Sequence, residues 1–309
     1  VQENSIGVQI KELRKHFGIS QRELCRDICS QSFISRIESG DLSPSADLLY
    51  RLSMRLGVDM NYFLERVYVP RMDYVQEVLL QLSESLKKKN YEQLKELVNH
   101  ERRNPLFIQG KNRQQLLWYE AIYFYKIHGD FHRAIMLLDE ALSMGHTTLK
   151  SHSEKEIEIY LTKANIHTER KELNEAISMY KDILTYLHRL PVIRDKELLI
   201  KVYYNYSRAL YLNGELGKSL LFAQNGIREC RENRILFGMG ELYFQMGRVY
   251  RDQSENELSK GFFEKAAMVS QLMEDENLKR MSESQMEHIG EAELCLRDLP
   301  FRHHNKEGI

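Results

Sequence analysis

Apolar residues early in the chain recur at helical spacing in short runs, each closed by a residue that favours a helix end. Ile6, Ile10, Leu13 and Phe17 form one stripe, which predicts a helix over about 5–17 ended by Gly18. Ser20-Gln21-Arg22-Glu23 fits the Ser-x-x-Glu capping box and predicts a second helix with Leu24 and Ile28 turned inward. Ser30 is placed to cap a third helix that buries Ile34 and Ile37, and Gly40 suits the left-handed position past its end. A fourth helix starts near Ser45 and buries Leu49, Leu52 and Leu56; a fifth spans about 59–66.

The third of these helices is polar on its outer side. With Ile34 and Ile37 held to the core, Gln31, Ser32, Ser35 and Arg36 point outward. Two short helices joined by a tight turn, the second one polar, describe a helix-turn-helix. Gln and Ser side chains can pair with base edges, and Arg36 can hold a phosphate or a guanine. Gln21, Ser30 and Phe33 complete the expected DNA-contact set.

The pattern changes around "VYVPRMDY", where Pro70 interrupts the periodicity, and a domain boundary is expected near residue 69. From Tyr74 onward the chain reads as almost continuous helix with an internal repeat. The tetratricopeptide pattern of large, aromatic and small positions fits Trp118, Tyr125, Ala134, Leu138 and Ala141, with "HGDF" at the turn. It fits again at Tyr160, His167, Ala176 and Tyr180; at Tyr203, Leu210 and Ser219, with "NGEL" at the turn; and at Tyr243, Gly247, Tyr250, Phe263 and Ala266. A weaker unit holds Val78, Leu82 and Leu94. The units are longer than the roughly 34 residues of the standard repeat, so their helices or connections must be longer. A last helix over about 275–297 would cap the array ahead of a polar tail, "RHHNKEGI". Most aromatic residues at this spacing are expected to pack between repeats.

Composition narrows the function. Hydrophobic residues make up 42% and charged residues 29% of the 309-residue chain, as in a soluble globular protein. No apolar run approaches the roughly 18 residues of a membrane span, and the charged, amphipathic N-terminal stretch reads as neither signal peptide nor anchor. A cytoplasmic protein is expected. Cys25, Cys29, Cys230 and Cys295 complete no zinc set and read as small hydrophobes. His146, His152, His303 and His304 make no ligand set, and "SESQMEHIGEAE" is a solvated helix face, not a carboxylate pair. No phosphate-cradling, dinucleotide-binding, zinc-protease or nucleophile-elbow motif occurs, so neither an enzyme nor a cofactor is expected. The net charge is only −1, yet Lys11, Arg14, Lys15, Arg22, Arg26 and Arg36 lie early in the first domain, and Asp41, Asp47, Asp59 and Glu65 late. That segregation permits a local basic face.

Gln21, Ser30, Ile34, Ser35, Ile37, Glu38, Gly40 and the Pro44 turn resemble the pattern of the lambda-repressor-type (Xre/Cro) helix-turn-helix. Together with the degenerate repeats, the whole chain resembles the peptide-sensing regulators of Gram-positive bacteria that include Rap, NprR, PlcR and PrgX. "KVYYNYSRALYL" and "LYFQMG" are most similar to the PlcR branch and "PRMDYVQEV" to NprR. The resemblance implies an all-α protein: a five-helix DNA-binding domain over 1–69, then a right-handed tetratricopeptide superhelix over 70–309 for dimerisation and peptide binding. It also implies a homodimer on double-stranded operator DNA, controlled by a short signalling peptide.

In such proteins asparagines on the concave face hold the peptide backbone, and Asn165, Asn205 and, nearby, Gln245 match them. The repeat register separately places all three on first helices facing the groove; an amide offers both a donor and an acceptor to a peptide unit. Tyr204 and Phe244 could line side-chain pockets, and Arg208 and Arg248, one turn from the amides, could hold a peptide carboxylate. Lys201, Arg251, Glu120, Glu158 and Glu241 are further groove-facing candidates. The competing reading is a scaffold whose repeats grip a protein partner, such as a response regulator.

Overall fold

The computed structural model describes residues 5–68, 72–145 and 152–297, and all regular structure among them is helical. The expected boundary near 69, His146 and the tail with His303 and His304 lie outside these residues, as does the side chain of Cys295. Packing divides the chain into two compact units, Val1–Leu97 and Val98–Ile309.

In the first unit local signals set the helix limits. Helix α1 (Ile6–His16) starts where Ser5 accepts a hydrogen bond from the Val8 N–H. The Ser20/Glu23 capping box opens α2 (Gln21–Cys25). This helix is shorter than its apolar spacing predicts: Arg26 is extended and Asp27 turns left-handed at φ 58°, so Ile28 reaches the core from the turn. Ser30 caps α3 (Gln31–Glu38), and Gly40 follows at φ 85°. Ser45 caps α4 (Ala46–Leu56), and α5 is Asn61–Tyr68. Ile10, Leu24, Ile34, Ile37, Leu52 and Phe63 are fully buried and form one core. Gly7 sits where α1 meets α3: a Cβ there would fall 1.7 Å from the Ile37 carbonyl oxygen. Helices α6 (Met72–Lys87) and α7 (Tyr91–Glu101) follow, burying Val78, Leu82 and Leu94.

The second unit is a stack of helical hairpins. After a 3-10 turn, Pro105–Phe107, the pairs are α8 (Gly110–His128) with α9 (Phe131–Ser143) and α10 (Glu154–Glu169) with α11 (Leu173–Arg189). Then come α12 (Lys196–Leu212) with α13 (Leu216–Asn233) and α14 (Met239–Asp252) with α15 (Asn256–Leu272); α16 (Glu276–Arg297) packs on α15. Small residues let the two helices of a hairpin approach. Ala164 and Ala176 are fully buried, the Ser207 and Ser219 hydroxyls each donate to the other's carbonyl at 2.8 Å, and the Ser259 hydroxyl donates to the Gly247 carbonyl at 2.9 Å. The aromatic stripes pack as expected: Tyr180 is fully buried and stacks on Tyr206, which meets Phe222.

Candidate functional site

Helix α3 presents Gln31, Ser32, Phe33, Ser35 and Arg36 to solvent, while Ile34, Ile37 and Glu38 are buried beneath them. The Ser30 hydroxyl accepts from the Phe33 N–H at 3.3 Å and pairs with the Ser32 hydroxyl at 2.9 Å, which orders the first turn. Unpaired N–H groups and the positive end of the helix dipole collect there, so this turn favours a phosphate beside it. Lys11, Lys15, Arg22, Arg26 and Arg36 are exposed cations of the same unit.

Two residues expected on the DNA side do other work. Arg14 is drawn inward: its Nε and Nη2 donate to the Glu38 carboxylate at 2.6 and 2.9 Å, and its Nη1 donates to the Ile19 carbonyl at 2.7 Å. Gln21 is half-buried, and its Nε2 donates to Glu38 at 2.9 Å. The reason is Glu38, which is only 3% exposed and needs partners for its charge. Burial pushes this carboxyl up, but the hydrogen bonds from Arg14 and Gln21, with the charges of Arg14 and Lys11, hold it below the usual carboxylate range. Arg14 therefore leaves the basic face, and Gln21 ties α2 to the inner end of α3. The sequence marks Gln21 and Glu38 as positions of the helix-turn-helix pattern, but nothing local joins them to Arg14, since the three lie on three different helices.

In the repeat unit the two asparagines present opposite halves of their amides. The Asn165 carbonyl accepts from the Tyr180 hydroxyl at 2.7 Å, leaving its NH2 group available. The Asn205 NH2 donates to the Lys201 carbonyl at 2.9 Å, leaving its oxygen available. Both side chains are half-buried on the first helices of neighbouring hairpins, and a peptide unit needs one donor and one acceptor. Gln245 is a correction. It is 1% exposed, its amide donates to the Ser219 hydroxyl at 3.3 Å, and it faces the α13 packing surface instead of a groove. Glu120 is likewise no groove residue: it is fully buried, with Arg102 at 2.8 Å.

Tyr204, Phe244, Arg208 and Arg248 are half-buried. Burial pushes the Tyr204 hydroxyl up, with Arg208 and Arg248 near enough to oppose the shift. Phe244 packs against Phe263 with ring centroids 5.2 Å apart. Arg208 makes no hydrogen bond or ion pair among the described residues, whereas Arg248 lies over the Tyr211 ring at 4.0 Å. Tyr211 donates to Asp252 at 2.5 Å, and Arg251 reaches Asp252 and Gln285. Tyr211, Asp252 and Gln285 were not singled out by the sequence, because pairing between neighbouring repeats leaves no local pattern. Glu158 sits between Lys155 at 2.7 Å and Lys201 at 3.9 Å, and the Trp118 indole donates to Thr162 at 2.8 Å.

Among the described residues no helix is long and apolar enough to cross a membrane, and no group of three His, Cys, Asp or Glu side chains could hold a metal. An N-terminal helix-turn-helix carrying a helical repeat unit defines a class of DNA-binding regulator, and family models agree with it. The helix-turn-helix model matches residues 10–63, and the RNPP family C-terminal domain matches residues 80–287. The chain belongs to the RNPP family.

Among solved structures it is similar to Bacillus thuringiensis PlcR in complex with the peptide PapR7 and DNA. The identity is 26% over 90% of this chain and 99% of that one, with a TM-score of 0.80. ComR from S. thermophilus, in complex with DNA and its signalling peptide ComS, shares the fold at 17% identity, covering 93% of this chain and 100% of that one, with a TM-score of 0.64. The Streptococcus dysgalactiae SHP pheromone receptor Rgg2 shares it at 14% identity and a TM-score of 0.64, covering 92% and 99%. No curated protein sequence gives a match.

Proposed function

We propose that this protein is a cytoplasmic transcription regulator that binds operator DNA through α3 and responds to a short signalling peptide held by the first helices of its repeats. The observation that carries the reading is one chain with an exposed polar α3 at one end and the RNPP repeat domain, with its one-sided asparagine amides, at the other. DNA recognition belongs to the segment up to about residue 69, and the remainder binds peptide and forms a homodimer, since one recognition helix covers only a half-site. Gln31, Ser32, Ser35 and Arg36 contact DNA with Ser30 and Phe33 beside them; Asn165 and Asn205 grip the peptide backbone, flanked by Tyr204, Phe244, Arg208 and Arg248. The peptide must bind two states of the dimer unequally to act as a switch.

Selection from a random duplex library should return a near-palindromic site. Replacing Gln31 and Ser32 together by alanine should relax base preference there by about 1–3 kcal/mol per lost base contact. An unchanged footprint and unchanged discrimination in the double variant would remove α3 as the reading helix.

The peptide arm is tested with the tightest binder from a library of short synthetic peptides. Calorimetry should give Asn165→Ala and Asn205→Ala losses of about 1–3 kcal/mol each, because each leaves a peptide polar group unpaired. Gln245→Ala should act on stability instead. Full peptide affinity in both asparagine variants would place the peptide elsewhere.

A further inference from the structure

A second cluster of charge lies on the second helices of the last two hairpins, away from the asparagines. Arg228 and Arg231 stand one turn apart on α13, and Lys265 is on α15. Among the described residues none of the three has a carboxylate within ion-pair distance. Arg228 donates to Asn225 at 3.2 Å, and Arg231 to the Tyr243 hydroxyl at 3.2 Å. Lys265 lies over the Phe262 ring, 4.7 Å from its centroid, and 5.9 Å from that of Tyr243.

These cations surround a cavity of about 330 Å³ with an apolar floor. Ile227, Tyr243 and Met246 are each less than 9% exposed, so the floor is fixed by packing. Phe262 is held by Tyr250, stacked within 3° of parallel at 5.3 Å. Glu229 and Glu232 on α13 and Glu264 on α15, the acids interleaved with these cations, do not line the cavity; the Glu229 carboxylate accepts from Asn233 at 3.3 Å. The cations are thus left facing one another over aromatic rings.

We infer that this cavity is a second ligand site, for a small aromatic carboxylate whose acid group sits between Arg228, Arg231 and Lys265 and whose flat body lies along Ile227, Tyr243 and Met246. The arginine fork matches a carboxylate in two parallel hydrogen bonds, and a planar apolar body covers the part of the packed floor that still faces the cavity. The volume lies at the small end of ordinary ligand cavities, roughly 300–1,000 Å³, so a one- or two-ring acid fits. None of Asn165, Asn205, Tyr204, Arg208, Phe244 and Arg248, the residues proposed to hold the peptide, lines this cavity.

The test uses the full chain, with 2-naphthoate as the probe and the uncharged 2-naphthalenemethanol as its counterpart. Titration followed by calorimetry should show saturable binding of the acid and at least about ten-fold weaker binding of the alcohol, the size expected for losing charged hydrogen bonds. Arg231→Gln with Lys265→Gln should weaken the acid by a similar factor, and Arg228→Gln alone should do so in part. Asn205→Ala should leave it unchanged. Absence of saturable binding, equal binding of acid and alcohol, or unchanged affinity in the cation variants would overturn the assignment. Unchanged melting of the variants, followed by circular dichroism, separates a lost site from a lost fold.

Discussion

Gly7→Ala should unfold the helix-turn-helix domain and abolish operator binding while leaving the repeat unit helical. Two effects oppose each other. Alanine gains about 1 kcal/mol over glycine in a helix interior, and less in the first turn, where Gly7 lies. Against that, its Cβ would fall 1.7 Å from the Ile37 carbonyl oxygen and 2.7 Å from the Ile37 carbonyl carbon. The obstacle is backbone, so no rotamer change relieves it; α1 must lift off α3. Overpacking of a core costs about 1–3 kcal/mol when side chains can adjust, and here the loss should reach or exceed the top of that range. Separating α1 from α3 also opens the layer holding Ile10, Ile34 and Ile37, all fully buried. Urea unfolding of the variant, with operator binding measured in parallel, checks the result; wild-type values for both would show that α1 and α3 do not meet so closely.

Glu38→Ala should cost about 3–5 kcal/mol, the range for removing one partner of a buried ion pair. It strands the Arg14 guanidinium, whose side chain is 12% exposed, and leaves the Gln21 amide without its acceptor. Glu38→Gln keeps an oxygen for Arg14 and should cost less. The pH dependence has a definite sign. The folded Glu38 carboxyl titrates below its ordinary value of 4.5, so the unfolded chain binds the proton first as pH falls. The contribution is therefore fully present above about pH 5 and disappears as pH drops through the folded value. Unfolding midpoints taken from pH 6 down to 3 should fall more steeply for the wild type than for Glu38→Gln; parallel curves would exclude Glu38 as the source.

Operator binding follows the same triad, because Arg14 and Gln21 fix α1 and α2 to the inner end of α3. A Glu38 variant that stays folded at low temperature should bind operator with reduced specificity. The exposed side chains of α3 are intact, and only the angle of the helix that carries them is released.

The amino-acid sequence alone determined where the first four helices of the first domain begin and which face of α3 points outward. Capping serines at positions 5, 20, 30 and 45 act within three residues of themselves, and Gly40 and Gly57 end helices through their own backbone freedom. The repeats were legible for a related reason: the fully buried positions of Ala134, Ala176 and Ser219 demand small residues at a fixed place in their hairpins.

Only the tertiary structure decided which polar side chains are free. Helices α10 and α12 pack on several sides, so periodicity leaves no broad polar face to orient them; α14 is more amphipathic, yet it carries Gln245 among its buried residues. Gln245, one residue after a half-buried phenylalanine, consequently falls on the packing side, while Asn205 falls on the open one. Gln21, Arg14 and Glu38 are separated by up to 24 residues, and nothing local in an arginine tells whether it meets a phosphate or a buried carboxylate. The same holds for Arg228, Arg231 and Lys265, whose surroundings are built from three helices. Helix ends depend on near neighbours and can be read in one pass; the environment of a charge depends on whatever the fold brings beside it.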